Sequence, residues 1–283
     1  TPLHAATAIA ARTERIRIGT FVLLLPFYHP VRVAEDVAFI DNLSKGRFDL
    51  GVGQGYRVDE FSGFCMPRKE RSARLAEGLD LIRRLWTEDT VTFEGKFTQI
   101  KDVHIQPEPL QQPHPPIWIG ARTEKAMQRA AREGYHLHLT LGPDWAPRYY
   151  ELLKQEGRTP ADFSTTQLHF VYVAPTEDEA WKDIQDQAHW MMQVYDGWFK
   201  TSGDVAGDER LWDIKEARDI RHSAYGQAWM VGNPTQVARK VEAFTKTSSC
   251  THLVMAMQVP GVDPSKGTRS MELFAQEVMP TFR

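Results

Sequence analysis

Short β-branched or aliphatic runs alternate along this chain with longer segments of helical period, and that rhythm restricts the fold more than any other feature. The strand candidates are Ile16–Val22, Phe48–Gly53, Ile117–Gly120, Tyr135–Thr140, Gln167–Val173 and His252–Met257. Between them, Val33, Val37 and Ile40 recur at i, i+4, i+7, as do Leu75, Leu79, Ile82 and Trp86, so each set shares one helix face. Ala180, Ile184, Met191, Tyr195 and Trp198 trace a longer stripe, read as core. Strands alternating with helices predict a parallel sheet wrapped in helices. A closed (β/α)8 barrel needs eight strands, and only six are legible after an opening helix, with Thr1 at its cap and Pro2 in its first turn. Either the sheet is open and doubly wound, or the chain starts inside the second unit of a barrel.

Two stretches break the rhythm. VTFEGKFTQIKDVHI, residues 91–105, alternates like a small antiparallel excursion turning at Glu94-Gly95, and QPEPLQQPHPPI carries five prolines before a strand. Neither reads as an interdomain linker, so 1–283 is expected to be one domain, with the polar Lys200–Ser223 stretch as a mobile insertion. Lys plus Arg number 34 against 37 for Asp plus Glu, a net charge of −3 that draws neither nucleic acid nor acidic membranes. The longest apolar run, Phe21–Leu25, falls well short of the ~18 residues of a membrane span and suits a buried strand. Cys65 and Cys250 fit neither a zinc spacing nor a disulfide framework. They are expected to be buried thiols in a soluble, cytoplasmic protein.

The first stretch that looks chemical is GRFDLGVGQGY, residues 46–56. Its G-x-G-x-G spacing is not the G-x-G-x-x-G of a dinucleotide loop, and no helix follows it directly. Two readings remain: glycines that bend a strand end, or glycines that let a flat ring approach the backbone. A second candidate is PPIWIGARTEKAM, residues 115–127, a buried strand running into a helix that Thr123 can cap. Backbone N–H groups at that helix start, with Arg122 beside them, can bind an anion. His136 and His138 share one side of a strand, a geometry that can hold metal, but no carboxylate or cysteine cluster joins them.

Taken in order, IGTFVLLLPFYHPVRVAEDV (18–37), LSKGRF (43–48), GVGQGY (51–56), Glu70-Arg71, Glu77, VTFEGKF (91–97), PHPPIWIGA (113–121) and VGNPTQVA (231–238) resemble the luciferase-like monooxygenases. The similarity to bacterial luciferase α subunits is closest over the first segments. The resemblance implies a (β/α)8 TIM barrel that binds reduced FMN, or in sister branches the deazaflavin F420, at the C-terminal ends of its strands. It also implies that roughly 60 residues, the size of two βα units, precede the opening helix in the family.

Carried over residue by residue, Thr20, Phe21 and Val22 match the family's strand-end bulge against the flavin ring, with a non-prolyl cis peptide at Phe21–Val22. Gly53 stands where the luciferase α subunit has a reactive cysteine, and Gln54 where it has a phosphate-contacting arginine. The first departure argues against the luciferase reaction itself, and the second shifts phosphate binding towards Arg122, Thr123 and the amides beside them, with Ala121 counted among the cofactor-binding residues. Thr123 matches a phosphate-binding serine, while Arg122 replaces an acidic residue. The family's main catalytic histidine falls before Thr1. His29, in the matching His-Pro sequence, is the catalytic candidate within the chain, although shaping of the loop before the next helix is the role favoured for it.

The implied activity is a flavin-dependent monooxygenase in which reduced FMN from a separate flavin reductase and O2 oxygenate a small organic substrate. The alternatives are F420-dependent hydride transfer and a non-catalytic flavin-binding or stabilising subunit. The resemblance further implies a homodimer packed through the N-terminal helix and residues 33–42. No metal or nucleic acid enters this reading.

Overall fold

The computed structural model describes residues 1–121, 123–140, 143–203 and 214–282. The chain divides into two compact units, Thr1–His138 with Glu151–Phe163, and Leu139–Tyr150 with Ser164–Arg283.

In the first unit, helix α1 (Pro2–Ala10) leads through a polar turn into strand β1 (Ile18–Gly19). Thr1 stands at the N-cap but does not cap with its side chain; its hydroxyl meets the His4 ring instead. The single strand expected over Ile16–Val22 is divided. Pairing stops after Gly19, and a second short strand, β2, occupies Leu23–Leu24. Thr20 is the cause: its hydroxyl donates to the Gly51 carbonyl at 2.6 Å and accepts from the Gly51 N–H at 3.0 Å, displacing the ladder. The bulge leaves Phe21 38% exposed, so the run Phe21–Leu25 is not the continuous buried strand its composition predicts.

Helix α2 (Pro30–Leu43) then packs on strand β3 (Phe48–Gly53) and on helix α4 (Arg71–Thr87), after the short α3 (Val58–Gly63). All of the predicted facing residues, Val33, Val37 and Ile40 on α2 and Leu75, Leu79, Ile82 and Trp86 on α4, are buried. Each fully buried aliphatic side chain contributes about 1.5–3 kcal/mol relative to exposure. The Trp86 indole N–H is also satisfied, donating to the Ala34 carbonyl at 3.1 Å. The antiparallel excursion exists as β4 (Val91–Glu94) and β5 (Gln99–Val103). Its turn is held by the Glu77 carboxylate, which accepts from the amides of Lys96, Phe97 and Thr98 at 2.8–2.9 Å. Two prolyl peptides in the proline-rich stretch, before Pro107 and Pro113, are cis.

Strand β6 (Ile117–Gly120), helix α5 (Glu124–Glu133) and strand β7 (His136–Leu139) complete this unit's ladder. Both β1 and β2 pair with β3, β3 pairs with β6, and β6 with β7, all in parallel. On one side of the sheet, Leu50, Val52, Ile119 and Leu137 are buried. The opposite side carries Gly51, Gly53, Trp118, Gly120, His136 and His138, in line with strand alternation. Helix α6 (Ala146–Gln155) spans the boundary in sequence between the two units.

In the second unit, strand β8 (Thr165–Val173) pairs in parallel with β10 (His252–Ala256) along its first half and with β9 (Met230–Gly232) along its second. β9 is an element that sequence periodicity did not resolve, because its three residues are too few to show alternation. Helix α7 (Glu177–Ser202) buries Ala180, Ile184 and Met191 against Tyr172, Trp229 and Val231, with Tyr195 half-buried beside them. Short α8 (Ala224–Gln227), α9 (Pro234–Thr247) and α10 (Pro264–Leu273) follow. The start of α9 is a capping box, Asn233 accepting from the Gln236 N–H at 3.0 Å while the Gln236 side chain accepts from the Asn233 N–H at 2.9 Å. Of the predicted Lys200–Ser223 insertion, residues 204–213 lie outside the described residues; α7 runs on to Ser202, and Ala217–His222 form a 3-10 helix.

The cysteines depart from expectation. Cys65 is exposed and Cys250 only half-buried. Cys65 follows the end of α3 at φ +51°, a turn position that faces it to solvent. No helix among the described residues is long and apolar enough to cross a membrane.

Candidate active site

Parallel strands bring their C-terminal ends to one edge of the sheet, where α/β folds of this class place their chemistry. In the first unit this edge collects the Thr20–Val22 bulge, Gly53 at the end of β3, Gly120 and Ala121 at the end of β6, and His138 near the end of β7. Five of the predicted cofactor-binding residues, Thr20, Phe21, Val22, Gly53 and Ala121, therefore lie together. The Phe21–Val22 peptide is cis, as the resemblance implies.

The glycines have a more definite role than their spacing suggests. A Cβ on Gly53 would lie 2.6 Å from Val22 Cγ2, and one on Gly120 would lie 3.5 Å from Val22 Cγ1. The missing side chains thus make room for Val22, which fills the space between the ends of β3 and β6. At Gly51 a Cβ would stand 1.8 Å from the Thr20 carbonyl oxygen and 2.8 Å from His138 Nε2. No side chain can be accommodated there without moving the bulge. The notion that Gly53 opens space directly to a ring is corrected accordingly: it admits Val22, and Phe21 and Val22 form the surface beyond.

Gln54 is half-buried just past β3. Thr123 caps α5, its hydroxyl oxygen accepting from the Ala126 N–H at 3.3 Å, as predicted. A hydroxyl in that role still has its own hydrogen to donate, and the first turn of a helix projects backbone N–H groups forwards. Arg122 lies outside the described residues. His29 occupies the N-cap position of α2, exposed and without a side-chain capping bond.

His136 and His138 do share a face of β7. Both pack against Trp118, His136 tilted at a ring-centroid distance of 4.6 Å and His138 stacked at 4.8 Å. Among the described residues, no group of three or more His, Cys, Asp or Glu side chains gathers as a metal site would require. Burial, reinforced by repulsion from His136, pushes the His138 pKa down to about 3, although its hydrogen bond to the Thr20 backbone opposes the shift. His138 is therefore a neutral imidazole at physiological pH. Its place beside the bulge was not foreseen; the clue available was its alternation with His136 on a strand two positions from the glycine-rich end.

An apolar wall of Phe21 and Val22, backed by the buried Gly53 and Ala121 and with the donor-bearing start of α5 following Ala121 in the chain, fits a planar ring carrying an anionic tail.

Comparison with known proteins adds to this geometry. The family model described as luciferase-like monooxygenase matches residues 1–249. The oxygenase component of a flavin-dependent trigonelline monooxygenase from Acinetobacter baylyi is 25% identical over 97% of this chain and 78% of its own length. An F420-dependent glucose-6-phosphate dehydrogenase from Kineococcus radiotolerans is 31% identical over 97% of this chain and 80% of its own. Shorter matches occur too: a Sinorhizobium fredii protein is 39% identical over 139 residues, and the chain spans only 40% of its length. The crystal structure of the monooxygenase RslO1 from Streptomyces bottropensis superposes with a TM-score of 0.83 at 25% identity, covering 100% of this chain and 83% of that one. The expected class, α/β of the luciferase-like (β/α)8 barrel type, is the one found.

Proposed function

The chain belongs to the luciferase-like monooxygenase family, and from that premise we propose that it is a flavin-dependent monooxygenase using reduced FMN and O2 to oxygenate a small organic substrate. The family and its relatives support oxidoreduction with a flavin-type cofactor. The observation that carries the site assignment is the convergence of the Thr20–Val22 bulge, Gly53 and Ala121 on one strand-end edge, with the capped start of α5 next in the chain.

In this reading the bound cofactor supplies the electron-transfer chemistry. Phe21 and Val22 orient its ring and keep water from that face. Thr123 and the first-turn amides of α5 hold its phosphate, with Arg122 assigned to the same role from sequence. Gln54 borders the ring from the end of β3. His29 is the candidate proton carrier, and His29→Ala is expected to lower kcat while leaving cofactor affinity within about twofold. A separate flavin reductase would provide reduced cofactor, which the description of the Acinetobacter relative as an oxygenase component supports. A cytoplasmic homodimer completes the proposal.

A second reading, F420-dependent hydride transfer, has specific support in the 31% identity to the F420-dependent dehydrogenase over nearly the whole chain. The two are separated by titrating the protein with each reduced cofactor and measuring O2 uptake. Preferential binding of FMN and substrate-dependent O2 consumption support the monooxygenase; preferential binding of F420 without O2 uptake supports hydride transfer.

A further inference from the structure

We propose that His138 is a positioning residue, which clamps the Thr20–Val22 bulge from the neighbouring part of the sheet and so holds the wall against which the cofactor ring is to lie. The proposal rests on the site reading above, but its evidence lies in contacts within the protein itself.

The His138 ring packs against two aromatic side chains. Trp118 stacks on it with centroids 4.8 Å apart and planes 13° from parallel, and Phe21 leans on it at 4.3 Å and 58°. The imidazole is only 9% exposed, whereas Phe21, the outermost ring of the three, is 38% exposed. A ring N–H of His138 donates to the Thr20 carbonyl oxygen. Thr20 is further tied to the Gly51 backbone through its hydroxyl in both directions. Gly51 makes the arrangement possible, since any Cβ there would enter the space held by the Thr20 oxygen and His138 Nε2.

These contacts divide the labour. The Gly51 backbone fixes the Thr20 side chain but does not reach Phe21. His138 alone among these groups joins the Thr20 carbonyl to the Phe21 ring, spanning β7 and the bulge. Aromatic contacts of this geometry each contribute about 0.5–1.5 kcal/mol beyond area burial, and a hydrogen bond about as much. Those energies suffice to hold a short segment in one conformation without determining whether the whole unit folds.

The decisive test uses the protein without cofactor. Amide hydrogen exchange over residues 20–24 is compared in wild type, His138→Leu and His138→Gln, with residues 48–53 as the internal reference. His138→Leu is expected to accelerate exchange over the bulge at least tenfold while leaving β3 unchanged. His138→Gln, whose amide nitrogen reaches about as far as Nε2, should recover most of the protection. Unchanged exchange in His138→Leu, or equal acceleration across β3, overturns the proposal. Should His138→Leu fail to fold, His138→Asn, too short to reach the Thr20 oxygen, takes its place with the same expectation.

Cofactor binding then separates this inference from the site assignment. If wild type binds reduced FMN or F420, His138→Leu should weaken that binding at least tenfold. The loss should be non-additive with Phe21→Ala, because both act on one wall. Wild-type affinity in His138→Leu, or fully additive losses, contradicts the positioning role. If exchange responds as expected but wild type binds neither cofactor, the clamp stands and the reading of the site falls.

Discussion

At the scale of single residues, His138 and Gly53 make the sharpest demands. His138 is held neutral by burial, with a pKa near 3 in the folded protein against an ordinary value of 6.5. A group whose folded pKa is depressed leaves the unfolded state holding more protons, so stability rises with pH between the two values. Its contribution is complete above pH ~6.5 and is lost as pH falls towards ~3. Between pH 6 and 4.5, unfolding free energy should fall by roughly 1 kcal/mol per pH unit from this residue. His169, also depressed by burial, adds a slope of the same sign. Comparing denaturant unfolding of wild type and His138→Gln isolates the His138 share, and identical slopes would contradict the assignment. At Gly53, an added methyl must displace Val22 from 2.6 Å. Gly53→Ala is expected to cost about 1–3 kcal/mol, and Val22→Ala in the same chain should recover part of that loss. Additive destabilisation would show that the two side chains do not compete for one space.

At the scale of elements, helix starts and tight turns carry the predictions. Thr123→Ala removes the cap of α5 and should cost about 1 kcal/mol. The same change should weaken FMN several-fold and leave riboflavin, which lacks the phosphate, unaffected; equal loss for both would move the phosphate elsewhere. Glu77→Ala removes the acceptor for three amides of the β4–β5 turn. It is expected to destabilise the protein by about 1.5–3 kcal/mol, measurable as a shift in the denaturation midpoint. Much at this scale was legible beforehand. Helix faces such as Val33, Val37 and Ile40 follow from a 3.6-residue period, and β3 and β6 from short apolar runs ending in glycine. The division of Ile16–Val22 was not legible from periodicity, because it follows from the Thr20 hydroxyl taking the place of a backbone partner for Gly51 on β3. The His138 clamp was hidden for a similar reason. It depends on the parallel registers Gly51↔Trp118 and Gly120↔His138, which no local pattern encodes.

At the scale of the whole molecule, family membership and fold agree, and an ordered series of short motifs was enough to anticipate both. What those motifs could not convey is which groups fill the spaces that glycines leave: Gly53 reads as an opening for a ring in one dimension and as a socket for Val22 in three. The reaction, by contrast, turns on the cofactor, since the relatives include both a flavin-dependent oxygenase component and an F420-dependent dehydrogenase. The central claim is that the edge formed by Thr20–Val22, Gly53 and Ala121 binds a flavin-type ring. Equilibrium titration of wild type and Gly53→Leu with reduced FMN and reduced F420 tests it most directly. Saturable wild-type binding of one cofactor is expected with a Kd in the micromolar range, about −8 kcal/mol, lost in a folded Gly53→Leu as Val22 is driven into the ring's space. Absence of saturable binding of either cofactor up to about 1 mM, or unchanged affinity in Gly53→Leu, would contradict it.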